Sequence, residues 1–238
     1  MKTFLFIISL FFFSFNIHSQ TLTGTQLLDK ALAYHDPNNN WSTFNGELHI
    51  TMETPNNSNR ESVIKINIPQ EYFYVKASRD TLTIEYTIIK DDCEIALNGN
   101  SNLDEATLKE NKLSCKRANM YKNYYTYLYG LPMKLKDHGT HIQEKVERKT
   151  FKDNDYLVLK VMYDEAVGSD VWYFYFNPET YVMEIYQFFH IDKDTQKETD
   201  GEYILLSGEK IINGIKMPKN RAWFTNKEDK LLGTDILK

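Results

Sequence analysis

From Thr140 to the end, this chain is a succession of alternating apolar and polar segments joined by turns that allow only antiparallel neighbours. Residues 140–151, 155–163, 170–177, 181–190, 201–212, 215–225 and 230–237 each read as a strand. Their joints include Lys152-Asp153-Asn154, Asn177-Pro178-Glu179-Thr180 and Asn213-Gly214. Asn-Gly between two alternating segments is a strong hairpin signal. A second β block precedes it. Leu48, Ile50 and Met52 share one face, Ile64, Ile66 and Ile68 another, and residues 71–78, 81–89 and 93–97 continue the pattern. The total is about eleven or twelve strands.

Two stretches break this regime. Thr23 or Thr25 can cap a short helix carrying Leu27, Leu28, Ala31 and Leu32, which Asp36-Pro37 stops. Asp104 to Tyr129 lacks Gly and Pro and reads as one or two helices. There, Met120 or Tyr121, Tyr124, Tyr125 and Leu128 form an aromatic stripe at helical spacing. Gly130-Leu131-Pro132 ends it with an expected C-cap glycine.

Trp172-Tyr173-Phe174-Tyr175-Phe176 is aromatic at both parities. Such a strand is covered on both faces, or on one with tyrosine hydroxyls reaching water on the other. Its partner sets Met183, Ile185 and Gln187 against Tyr186, Phe188 and His190. A sheet this wide has more apolar surface than two short helices cover when flat, so it curls around them or closes into a barrel. The expected fold is mainly β with α: a strongly curved antiparallel half-barrel with a short N-terminal helix and a central helical lid around 104–129. A curled sheet over a loosely filling helix leaves a lined cavity.

Met1-Lys2 followed by the apolar run Thr3–Phe15 and the polar Asn16–Ser19 reads as a signal peptide over residues 1–19, cleaved after Ser19. An uncleaved anchor helix is the alternative. No cysteine lies near that point, so a lipoprotein anchor is not expected. No later run is apolar enough to span a membrane. Residues 20–238 then form a single exported domain, periplasmic or secreted and soluble. Six of the 14 Phe leave with the leader, while all 16 Tyr stay. The net charge of −5 argues against nucleic acid as a partner. Export makes a Cys93–Cys115 disulfide possible, with two buried free thiols as the alternative.

Catalytic and metal signals are weak. His138 and His141 flank a glycine turn and read as surface histidines. Asp192, Asp194, Gln196 and Glu198 lack the glycine and glutamate of a calcium loop and read as a solvated hairpin. Asp164, Glu165 and Asp170 border one loop and could serve acid/base chemistry, though a polar turn is the simpler reading. No nucleophile elbow or phosphate loop is present. Pro218 marks a bulge or an edge. Arg221, beside Trp223, could hold an anionic head group or pair with a carboxylate.

The element order resembles the LolA/LolB type of lipoprotein carrier, a half-open barrel with a helical lid over an apolar cavity. Four stretches are similar to an uncharacterised family of exported proteins of the Bacteroidota kind, a domain of unknown function. They are Tyr124–Lys134, Gly168–Phe174, Asp200–Tyr203 and Gly214–Lys219. That family implies no established activity.

The resulting expectation is a non-enzymatic binder of a lipid, acyl chain or lipidated protein, without cofactor or metal. Its cavity walls are Tyr124, Tyr125, Leu128, Trp172, Phe174 and Trp223, with Arg221 at the polar end. The alternatives are a secreted hydrolase using Asp164, Glu165, Asp170 or His190, and an envelope interaction module binding through a sheet edge.

Overall fold

The computed structural model describes residues 22–238, so the leader segment lies outside the described residues. Thr23 caps helix α1 (Gly24–His35) in a capping box with Gln26. Asp36 ends α1 and turns its carboxylate onto the N–H groups of Asn40 and Trp41, both at 2.8 Å. The first β block is β1 (Asn45–Thr54), β2 (Asn57–Asn67), β3 (Tyr72–Arg79), β4 (Leu82–Ile89) and β5 (Asp92–Leu97). Two helices follow, α2 (Glu105–Glu110) and α3 (Cys115–Tyr129), capped by Asp104 and Ser114. The second block runs through β6 (Thr140–Ile142), β7 (Glu147–Phe151), β8 (Asn154–Tyr163), β9 (Val171–Phe176), β10 (Met183–Ile191), β11 (Glu198–Ile212), β12 (Ile215–Thr225) and β13 (Leu231–Leu237).

All thirteen strands join one antiparallel sheet that does not close. Its order is β5-β4-β3-β2-β1-β13-β12-β11-β10-β9-β8-β6, with β7 also on β8. The pairing of β1 with β13 unites the two blocks. The thirteenth strand arises because the segment expected over 140–151 divides into β6 and β7, which pair with successive parts of β8. The Asn213-Gly214 hairpin forms as expected, both residues taking positive φ.

Side-chain contacts show how strongly the sheet curls. Tyr121 on α3 meets Tyr86 of β4, and Tyr127 meets Tyr163 of β8, at ring-centroid distances of 5.7 and 6.2 Å. Flat, those strands would lie ~43 Å apart at the usual inter-strand spacing. A helix of 15 residues is only ~22 Å long. The sheet therefore wraps around α3, and the principal core lies between them.

On β9, Trp172, Phe174 and Phe176 face this inner core, while Tyr173 and Tyr175 face outward. The outward pair is still buried, because its hydroxyls donate to Glu198 at 2.6 Å and Gln187 at 2.7 Å rather than to water. Phe151 at the β7–β8 turn packs on Tyr175 and Tyr203, covering that outer cluster. Met183 leaves the parity expected with Ile185 and Gln187. A register shift between Met183 and Ile185 turns Met183 into the inner core.

Gly130 is the C-cap of α3, as expected, though its φ of −89° is not left-handed. Its requirement is space, since a Cβ there would meet Trp41 at 2.4 Å and the Thr126 carbonyl at 2.6 Å. Pro218 lies on an inner strand but at a local edge, because β13 pairs with β12 only from Asn220 onward. His35 braces that corner: its ring bonds the Lys216 carbonyl at 2.8 Å and accepts from the Met183 N–H at 3.0 Å.

A disulfide joins Cys93 on β5 to Cys115 at the start of α3, with Cα atoms 5.9 Å apart. It ties one end of the helix to a sheet edge. Replacing both cysteines by serine should lower unfolding stability by roughly 3 kcal/mol through the freed loop. Urea denaturation measures this, and an unchanged midpoint would contradict the tether.

Candidate functional site

Helix α3 places its tyrosines on the concave sheet. Ala118, Tyr125, Leu128 and Tyr129 are buried, Tyr121 and Tyr124 half-buried, and Met120 is 58% exposed. Of the two residues offered for the start of the stripe, Tyr121 is therefore the inward one. Tyr124 stacks on Trp223 at 6.0 Å and meets Tyr125 edge-on at 5.1 Å. Tyr127 packs on Trp172 at 5.5 Å and shares a hydrogen bond with the Tyr163 hydroxyl. Trp172 stacks in turn on Phe188 at 4.8 Å and Phe174 at 6.0 Å.

The structure thus gathers all six apolar residues expected as cavity walls, but around a filled interior. Tyr125 and Phe174 are fully enclosed and Leu128 nearly so. Three surface grooves of 220, 440 and 370 Å³ lie elsewhere: beside His35 and Met217, beside Asn100 and Asp104, and beside Gly46 and Gln70. An open hollow under a loose lid is not what α3 leaves. Its phenol rings occupy the space themselves.

Beneath α3, besides Arg221, lie two charged side chains that periodicity reasoning did not single out, Arg60 and Asp235. Pairing register aligns Arg60 with Met52, Met52 with Asp235, and Asp235 with Arg221, across β2, β1, β13 and β12. Arg60 donates to the Tyr125 hydroxyl at 3.0 Å. Arg221 is 1% exposed and lies over the Tyr129 ring, its Cζ 3.8 Å from the centroid. It donates to the carbonyls of Pro218 at 3.1 Å and Leu128 at 3.4 Å. Among the described residues it has no carboxylate within salt-bridge distance. Asp235 is wholly buried and accepts one long bond from the Tyr124 hydroxyl, at 3.3 Å.

This interior buries many polar atoms. Buried atoms without a partner include Arg60 Nε, Ser62 Oγ, the Tyr129 and Tyr186 hydroxyls, Arg221 Nε, Trp223 Nε1 and Asp235 Oδ1. Ordinary cores leave few such groups, since each costs about 1–3 kcal/mol. Burial holds the Asp235 carboxyl above its usual range, opposed in part by Arg60 and Arg221. Burial likewise raises the phenols of Tyr124 and Tyr125. The signal for Arg60 and Asp235 was present in the sequence: each occupies the inward parity of its strand, with Ile64 and Ile66 in one case and Leu237 in the other.

The acidic residues considered for hydrolysis do not converge on the interior. Asp164 pairs with His141 at 2.5 Å and Asp170 with His190 at 2.9 Å, as two exposed pairs. Asp192 caps its own turn, accepting from the N–H groups of Asp194 and Thr195. Among the described residues no group of three metal-ligating side chains is assembled. No helix among them is long and apolar enough to cross a membrane.

Because native Asp235 holds its proton more tightly than the unfolded chain does, stability falls as pH rises through the ordinary carboxylate value near 3.8 toward its raised folded value. Asp235→Asn should therefore melt higher than the parent at pH 7, with the difference vanishing in acid. Melting curves across pH check this. A lower melting temperature at pH 7 would mean that the ionised carboxylate stabilises the row.

Comparison with known proteins places this architecture. The family model described as "Family of unknown function (DUF6503)" matches residues 1–237. No curated protein sequence matches significantly. Among solved structures, the chain is similar to a LolA superfamily protein from Nitrosomonas europaea, at 12% identity, 92% coverage of each chain and a TM-score of 0.51. It is similar to a DUF1329 family protein from Desulfovibrio piger, at 7% identity, 92% coverage of each and a TM-score of 0.50. An outer membrane lipoprotein-sorting protein domain from Vibrio parahaemolyticus gives 9%, 90% of each and 0.51. At such identities the likeness is one of fold.

Proposed function

The chain belongs to the DUF6503 family, and from that membership, its LolA-like fold and its interior rich in buried polar atoms we propose that it is a periplasmic carrier or sensor of amphiphiles. The ligand is a lipid, an acyl chain or the lipid moiety of a lipoprotein. Helix α3 is its lid, and the concave sheet is its binding surface. Tyr124, Tyr125, Leu128, Trp172, Phe174 and Trp223 form the apolar walls that the ligand meets once α3 lifts.

The observation that carries this reading is the quality of the contact under α3. A helix kept only for stability buries groups that are satisfied on both sides. This one sits over a charged row: its Tyr125 hydroxyl and Leu128 carbonyl accept from Arg60 and Arg221, and its Tyr124 hydroxyl donates to the buried Asp235. Such an interface opens at lower cost than the β ladders around it. Aromatic side chains on both walls then offer an acyl chain the apolar surface that the phenol rings vacate. The lipoprotein-sorting likeness and the apolar leader support placement in the periplasm.

The chain's three tryptophans make the test direct. Trp172 and Trp223 line the site, while Trp41 packs on Phe44 outside it. In a Trp41→Phe background, a fluorescent fatty acid should receive energy from the two remaining indoles saturably, at one ligand per chain. Mass spectrometry of solvent extracts should show a co-purified amphiphile. An empty extract together with no saturable transfer would overturn the reading.

A further inference from the structure

We infer that the ligand is an anionic amphiphile whose head group is held jointly by Arg60 and Arg221, with its chain running among the aromatic walls. This rests on the carrier reading above and adds the chemical class of the ligand. Two guanidinium groups face one carboxylate in the row beneath α3. Unpartnered donors also outnumber unpartnered acceptors there. Arg60 Nε, Arg221 Nε and Trp223 Nε1 can only donate and Asp235 Oδ1 can only accept, while the Ser62, Tyr129 and Tyr186 hydroxyls can do either.

In the closed state the acceptors come mainly from the lid. The Tyr125 hydroxyl takes a bond from Arg60, and the Leu128 carbonyl takes one from Arg221. Both belong to α3 and leave with it. Lifting the helix strands Arg60 without a described acceptor and leaves Arg221 only the Pro218 carbonyl. Two guanidinium groups on an apolar floor are costly unless an anion replaces what the lid supplied. A carboxylate or phosphate does so with stronger, charge-assisted bonds. Arg60 and Arg221 lie on strands three steps apart, ~14 Å along a flat sheet and less on a curved one. Their long side chains can therefore converge over Met52 and Asp235 on a single head group. A neutral head would leave both charges unmet. A cationic head would be repelled.

The experiment compares amphiphiles of one chain length: dodecanoate, dodecyl phosphate, dodecyl maltoside and dodecyltrimethylammonium, with acetate and inorganic phosphate as chainless controls. Binding is read from Trp172 and Trp223 emission in the full chain carrying Trp41→Phe, below micellar concentrations. The two anionic members should bind at least tenfold more tightly than the neutral one, and the cationic one more weakly still. Asp235→Asn removes the competing carboxylate and should raise the ratio of anionic to maltoside affinity severalfold. Misfolding cannot produce such a gain. Arg60→Gln should reduce the anionic preference without abolishing maltoside binding. Equal affinity for all four heads, or an Asp235→Asn variant in which that ratio does not rise, overturns this inference and leaves the carrier reading intact. Binding of the chainless anions as tightly as dodecanoate overturns it as well, by removing the role of the chain. Failure of every amphiphile to bind overturns the carrier reading and this inference together.

Discussion

The seating of α3 in the concave sheet is the contact on which the rest of the molecule depends. Thirteen strands present far more inward apolar surface than the sheet can bury against itself, and α3 fills the hollow they make. It does so with tyrosines, which supply large apolar bodies yet bring hydroxyls into a low-dielectric interior. Those hydroxyls meet a charged row rather than ordinary backbone acceptors, so the helix is held by bulk and aromatic stacking more than by satisfied polar bonds.

The surrounding frame is tied together at other points as well. The β1–β13 pairing binds the first and last strands, so the sheet remains continuous whatever α3 does. Helix α1 is pinned independently by its capping box and by His35, which bridges β12 and β10. The Cys93–Cys115 bond keeps the start of α3 at the β5 edge.

Much of this was legible in the residues. Alternation and short turns specified the antiparallel strands, and Asn213-Gly214 placed its hairpin directly. The aromatic excess at both parities of 172–176 called for a strand covered on both faces, or on one with tyrosine hydroxyls reaching water, and the two clusters on its faces match the first. What periodicity missed has physical reasons. A register shift at Met183 changes which face a side chain meets, and no local residue signals it. Gly130 serves close packing against Trp41 rather than a left-handed turn, which depends on a contact far away in sequence. The fullness of the hollow also escaped, because strand and helix patterns specify which faces are apolar, not how much volume lies between them. Arg60 and Asp235 were the readable omission: a charge at an inward position is a conspicuous break in a strand's pattern, and neither was singled out.

Native-state hydrogen exchange tests most directly whether α3 is a separately opening element. The amides of α3 should exchange through an opening well below the global unfolding free energy, while those of β1, β2, β12 and β13 exchange only on global unfolding. A bound amphiphile should then alter protection in α3 and at the Arg60 and Arg221 strands before it affects the outer face. Exchange of α3 at the same rate as the β1–β13 ladder, in every condition, would make the helix a permanent part of the core and contradict the account.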